Sequence, residues 1–462
     1  MRKRIFLLAL VMALGLTACS ILPEDSPIIL EGEAIETVES SSSHSSKASS
    51  EASTTEEDPT EETTEEDPTE ESTEEEPEYE WVELPSGGET NPITAREPKD
   101  KPQDVDADGN KIPYEKDAQG YDIIPQVMQS YLTGEWKDVD RVNRRNIAVM
   151  FPNGYRAGSQ DTSPRLQLYG LSKASIIYEA PVEGRITALM GIFEDYDGLD
   201  KLGPVANARD YFIYDAMSFD SIYINWGMAR IWTEELINSN RIDNISAPTA
   251  GIKGGVDEDF FHDEEIIPDA GSSYNGYFDM TKLAETIEAK GYQTEYRDSF
   301  EQAFLFADDR IATYDNATSI TKIWPGGSGM NGGGYGNFAD MNPHFEYDEE
   351  QHLYYRYQYG EPMVDGRNGR KIGVTNVVLK ICHGEERTPN EVKYDFLAFG
   401  IHGTGECYVF TNGKVIKGTW EKSSDPSADY LYDEDGNEIV LNQGKTWVCC
   451  VWKEYSQYVT ME

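Results

Sequence analysis

The chain has 462 residues, with 39 Lys and Arg against 85 Asp and Glu, a formal net charge of −46. So acidic a chain has no basic stripe with which to displace counterions from phosphates, which excludes nucleic-acid binding as its role and argues against adhesion to anionic lipid headgroups. Arg2, Lys3 and Arg4 precede an apolar run from Ile5 to Leu16 that is shorter than the roughly 20 residues needed to cross a bilayer, so residues 1–19 read as a signal peptide. It ends in a lipobox, Leu16-Thr17-Ala18-Cys19, which makes Cys19 the expected lipidation site and the lipid bilayer, through that anchor, the first expected partner. Residues 20–80 are Ser, Thr, Glu, Asp and Pro with a near repeat starting at Thr55 and again at Thr64. This composition buries too little apolar surface to offset the entropy of ordering, so a disordered acidic tether is expected, spanning on the order of 40 Å or more. The tether holds less than half of the net charge, and the rest falls on the folded part.

Residues 81–143 read as a turn-rich linker. Asp104, Asp106, Asp108, Gly109 and Glu115 fit the spacing of a calcium loop. Proline at 113 falls where the exit helix should begin, and the phrase recurs at Asp117 and Asp433, so Asp/Gly hairpin turns are the preferred reading. From 144 to 325 the pattern predicts an α+β domain. It opens with a buried strand from Arg145, then two strands, Ser175 to Val182 and Arg185 to Phe193, joined by a tight turn at Glu183-Gly184. A helix opened by Pro204 is expected over 203–212, a strand over 219–227, an amphipathic helix over 228–238, and a helix from Asp279 to Lys290 closed by Gly291. Glycine-rich stretches after Trp324 divide this mixed β-sheet core with packed helices from a β-rich domain over 335–462, in which Asn412-Gly413 marks the clearest hairpin.

Glu179, Glu183, Arg185 and Arg209 are charged groups set in or beside apolar elements, where an unpaired charge costs several kcal/mol. Internal ion pairs are the favoured reading, and a ligand pocket is the functional one. The two glutamates are also the expected residues for a carboxylate-based glycan hydrolase. His402 and Cys407 resemble part of the L,D-transpeptidase signature, but Cys407 lacks the serine-glycine run before it and the arginine after it. Cys382, Cys407, Cys449 and Cys450 contain no C-x-x-C pair, so neither a metal nor another cofactor is expected. Cys449 and Cys450 should point to opposite faces of a strand.

Arg145-Asn-Ile-Ala-Val-Met, Gly170-Leu-Ser-Lys-Ala-Ser-Ile-Ile-Tyr-Glu, Val182-Glu-Gly-Arg-Ile-Thr-Ala-Leu-Met, Gly203-Pro-Val-Ala-Asn-Ala-Arg and Asp220-Ser-Ile-Tyr-Ile resemble, in order, the signatures of the YerB-like lipoproteins of Gram-positive bacteria. Phe345-Glu-Tyr-Asp, Asn376-Val-Val and Gly418-Thr-Trp-Glu-Lys through Trp447 resemble that family's C-terminal domain. The resemblance implies a surface lipoprotein with an α+β core and a β-rich C-terminal part, and it carries over no catalytic residue. Two departures stand out: Ala206 replaces the usual basic residue after Gly-Pro-Val, and Asn225-Trp-Gly-Met replaces a His-Ala-Gly-Gly type stretch, which adds Asn225 to the candidate ligand residues. The expected role is therefore a binding or scaffold module on the extracytoplasmic face of the membrane, lipid-anchored, meeting peptidoglycan or a wall-synthesis protein through Tyr- and Trp-rich surfaces. The alternative is a wall-modifying enzyme.

Overall fold

Apolar and β-branched runs of strand length, interrupted by turn residues, build a sheet of 12 strands. The computed structural model describes residues 82–83, 89–90, 98–107, 109–153, 168–183, 186–263, 275–308, 312–326, 341–387 and 396–462. In chain order the strands of the large sheet are β1 (Ile147–Asn153), β2 (Ile176–Val182), β3 (Ile186–Phe193), β4 (Ile222–Asn225), β5 (Asn244–Ser246) and β6 (Thr318–Ser319). They are followed by β7 (Asn376–Arg387), β8 (Phe396–Gly400), β9 (Gly403–Thr411), β10 (Lys414–Lys422), β11 (Tyr430–Asp433) and β12 (Thr446–Trp452). Their order across the sheet is β5-β4-β1-β3-β2-β12-β7-β9-β10-β6, with β8 beside β7 and β11 beside β10. The sheet is mixed: β4 is parallel to β1 and β5, β3 is antiparallel to β1 and β2, and β9 and β10 form an antiparallel hairpin.

The strand that joins the two segments comes last in the chain. β12 lies parallel to β2 on one side and to β7 on the other, with Val448 opposite both Tyr178 and Val378. Segments 144–325 and 335–462 thus contribute to one continuous sheet. A strand so placed has both edges hydrogen-bonded and both faces covered, which is why Thr446–Trp452 reads as a near-continuous apolar run.

Alternate residues feed two cores. Ala148, Met150, Tyr178, Val378, Cys382, Val448 and Cys450 face one side, where helix α2 (Asp210–Ser218) packs through Tyr211, Phe212 and Ile213. Val149, Phe151, Ile177, Leu379, Trp447 and Cys449 face the other, against Phe345 and Tyr354 of a second sheet that contains His344–Asp348 and Leu353–Gln358. Cys449 and Cys450 therefore enter opposite cores, and the four cysteines at 382, 407, 449 and 450 are buried and form no disulfide. Among the described residues the α-helices are a short α1 (Val139–Asn143), α2, α3 (Arg230–Ile237) and α4 (Leu283–Lys290). The fold is α+β but dominated by strands.

The helix expected over 203–212 is corrected. It begins only at Asp210, because the backbone N–H groups before it are used elsewhere: Val205 donates to Gly276 O at 2.7 Å and Ala206 to Met150 O at 2.9 Å. At 279–290 a 3₁₀ turn precedes α4, Asp279 caps it by accepting from Thr281 N at 3.0 Å, and Gly291 closes it at φ +68°. The Asp/Gly phrases are hairpin turns in all three places, with Asp106, Asp117 and Asp433 each accepting from the backbone N–H four residues on, at 2.8–2.9 Å.

Removing β12 exposes the edges of β2 and β7 and opens both cores. A chain ending at Gly444 is expected to lose the cooperative thermal transition of the whole body, including the near-ultraviolet signal of Tyr178 and Tyr211 in the first segment. A native-like melt of that truncated chain would show that the first segment holds itself together.

Candidate functional site

β1, β2, β4, β5, β7 and β12 all run in one direction, so their carboxyl ends share a rim. In open sheets with helical crossovers, ligands lodge at that end, where neighbouring strands part company. The extended segment 203–209 is laid along it. Trp226 N donates to Ala206 O at 2.9 Å and Ala208 N to Gly227 O at 2.9 Å, so the two departures noted in the sequence, at Ala206 and at 225–228, lie against each other. Gly227 has φ +86°, and a side chain there would collide with Asn207.

Glu179, on β2 one turn of the pleat inside the rim, is closed off from solvent. Arg356 Nη2 donates to its Oε1 at 2.6 Å, Thr187 Oγ1 to the same oxygen at 2.8 Å, and Trp447 Nε1 to Oε2 at 3.0 Å. Both side chains of the Glu179–Arg356 pair are 0 % exposed. The Arg356 guanidinium also stands 5.0 Å from the Phe345 ring centroid and 5.4 Å from that of Trp447. Asn153 and Gln358 extend the network, Gln358 Nε2 donating to Asn153 Oδ1 at 2.9 Å. Arg356 was not singled out in the sequence. The pattern of Leu353–Gln358 gives no such signal: its buried phase is Tyr354, Arg356 and Gln358, while the more apolar phase of Leu353, Tyr355 and Tyr357 is only half-buried.

Glu183, at the β2–β3 turn, meets Arg209 at 2.6 Å and accepts from Leu397 N at 2.9 Å. Burial works against the Arg209 charge, and Glu183 more than offsets it, so the guanidinium holds its proton more firmly than usual. Asn225 donates to Gly227 O at 2.8 Å and accepts from Ser246 Oγ at 2.7 Å. The rim thus brings Glu183 and Arg209 together, while Glu179 and Asn225 are bound into separate internal networks. Arg185 and Cys19 lie outside the described residues. Aromatic rings complete the rim: Trp226 sits 4.8 Å from His262 and 5.4 Å from Phe260.

The nucleophile and base suggested by the second segment are kept apart. His402 Nε2 lies 2.9 Å from Asp425 Oδ1. His402 precedes β9, whereas Cys407, five residues along the chain, lies inside that strand. Its side chain enters the core, and burial pushes the thiol up to about 12. A thiolate is the nucleophile in cysteine enzymes, and this environment suppresses it. Among the described residues no group of three His, Cys, Asp or Glu side chains is placed to hold a metal ion.

Fold and rim together define a strand-dominated α+β protein whose charged interior groups are matched to one another. Residues 132–293 match the N-terminal domain, and residues 335–448 the C-terminal domain, of DUF3048, described as a protein of unknown function. "Putative lipoprotein YerB" of Bacillus subtilis (strain 168) is 25 % identical over 336 residues, covering 71 % of this chain and 89 % of that protein. The crystal structure of the YerB protein from Bacillus subtilis shares the fold with a TM-score of 0.56 at 21 % identity, over 72 % of this chain and 99 % of that one. The chain belongs to this YerB-like family.

Two measurements follow from the geometry. Arg356→Met leaves Glu179 buried without its countercharge and is expected to cost about 3–5 kcal/mol in urea unfolding, most of it recovered in the double variant Glu179→Leu/Arg356→Met. An unchanged midpoint for the single variant contradicts the pairing. Iodoacetamide at pH 8 is expected to leave Cys407 unlabelled in the native protein and to label it fully in denaturant; rapid native labelling would restore the cysteine-enzyme reading.

Proposed function

We propose that the protein is a binding or scaffold module of the cell envelope, held on the extracytoplasmic face of the membrane by lipid on Cys19 and carried outward by the acidic tether over 20–80. The observation that supports it most directly is the state of the rim: its charged groups are consumed in internal pairs, while Trp226 and His262 are left at least partly open. Flat aromatic faces suit the C–H faces of sugar rings. That makes wall glycan, the polymer nearest to a tethered surface protein, the ligand of this reading. The family relative named as a lipoprotein supports the anchor, and among the described residues no helix is long and apolar enough to cross a membrane.

The test is co-sedimentation of the full chain with isolated peptidoglycan. Retention that falls about tenfold in Trp226→Ala, with an unchanged thermal midpoint, is expected. Release of soluble muropeptides by the purified protein would sink the binding-module reading, and failure of the wild type to sediment would remove glycan as its ligand.

A further inference from the structure

One lysine lies deep in the fold with nothing but carboxylates for charge partners. Lys380, on β7, is 2 % exposed, and its Nζ donates to both oxygens of Asp429, at 2.8 Å to Oδ1 and 2.7 Å to Oδ2. Asp429 immediately precedes β11 and is equally buried. A second carboxylate reaches in from helix α2: Asp215 Oδ1 stands 3.8 Å from the same Nζ and has no hydrogen-bond partner among the described residues. Trp420 closes the site with its ring centroid 4.6 Å from Nζ, and the Tyr178 hydroxyl donates to Asp429 Oδ2 at 3.3 Å. The neighbouring buried lysine is treated differently. Lys422 donates to the Ser218 hydroxyl and to the backbone carbonyls of Asp425 and Ser427, none of which is a carboxyl group.

A primary amine held against one carboxyl group, with a second carboxyl free to carry protons and with bulk water excluded, has the composition of an amide-forming site. Two charged groups buried together bear a desolvation cost that a neutral amide does not. Reactants fixed in contact gain a large effective concentration over the same groups in solution. Exclusion of water also removes the reagent of the reverse reaction. We propose that Lys380 and Asp429 join in an intramolecular isopeptide bond, with Asp215 shuttling the protons. Asp215 takes a proton from the Lys380 ammonium and passes it to one oxygen of Asp429, so that a neutral amine faces a neutral carboxyl, and the freed lone pair of Nζ then forms a bond to Asp429 Cγ. The protonated oxygen collects a second proton from the nitrogen, and it leaves as water. Nζ keeps one hydrogen in the new amide, and Asp215 ends as the carboxylate it began as. No oxidant, reductant or cofactor enters the balance.

The electrostatics suit the shuttle. Burial raises the Asp215 carboxyl to about 7 against the opposing pull of Lys380, so it accepts and releases a proton near neutral pH. Lys380 itself is raised: burial alone would lower it, but Asp429 and Asp215 hold its proton. Attack therefore runs through a minor neutral amine, slowly, and the product accumulates because its water is lost. The bond would tie β7 to the approach of β11 across the hairpin of β9 and β10, closing the segment between residues 380 and 429 into a covalent ring.

The experiment is mass spectrometry of the full chain, incubated at 37 °C for several days and then digested under denaturing, reducing conditions. The expected result is a branched peptide carrying Lys380 and Asp429, lighter than its two arms by one water molecule and lost in Lys380→Arg. Asp215→Asn keeps the size of the side chain but cannot shuttle the proton, and with an unchanged near-ultraviolet spectrum it is expected to give two linear peptides. Linear peptides from the wild type, with Lys380 open to acetylation after denaturation, overturn the proposal. A branched peptide from Asp215→Asn overturns the assigned role of Asp215.

Discussion

The pairing of β12 with β2 on one edge and β7 on the other is the constraint on which the rest of this structure depends. It brings Trp447 over Glu179, and the sheet it completes lets the second layer bring Arg356 to the same carboxylate. Glu179 and Arg356 are 177 residues apart in sequence, yet neither side chain reaches water. Such a pair adds little net stability over an apolar pair of the same volume, because desolvation consumes most of the Coulomb gain. Its effect is on specificity: a misplaced strand or slipped register leaves a bare charge in the core, and that state is heavily penalised. The two segments are thus matched through polar groups as well as through apolar area.

The same logic shapes the rim. Charges that looked available for chemistry when taken one at a time are, in the fold, each other's partners. Glu183 holds Arg209 and a backbone N–H of β8, Asn225 spans Gly227 and Ser246, and His402 faces Asp425 while Cys407 is buried in the core. What the rim leaves open is aromatic surface, and that is a surface for recognition. The described interior also keeps a grouping of a different character, in which a buried amine meets two buried carboxylates.

Much of the strand pattern was legible because each strand carries its own local signal. β2 and β3 announce themselves by β-branched runs around Glu183-Gly184, and the β9–β10 hairpin by Asn412-Gly413, whose φ values of +48° and +70° suit the tight turn they occupy. The helix at 203–212 was misread because propensity says nothing about where N–H groups find better acceptors; Met150 and Gly276, both distant in sequence, supply them. The internal ion pairs were anticipated in kind from charges set in apolar runs. Their partners were not: Arg356 for Glu179 and Asp429 for Lys380 are tertiary facts, set by which strands become neighbours. Periodicity offered no clue to either: Arg356 and Gln358 share the more polar phase of Leu353–Gln358, and Lys380 lies in a run buried on every residue from 376 to 382.

If β12 makes one cooperative body of two segments, their slowest amides must open together. Native-state hydrogen exchange read residue by residue tests this directly. The account predicts that amides of β1 and β3 in the first segment and of β9 and β10 in the second converge on one opening free energy as denaturant rises. Persistent protection of β1 and β3 under conditions where β9 and β10 have already exchanged would contradict it, and would mean that the shared sheet is a contact between two independent domains.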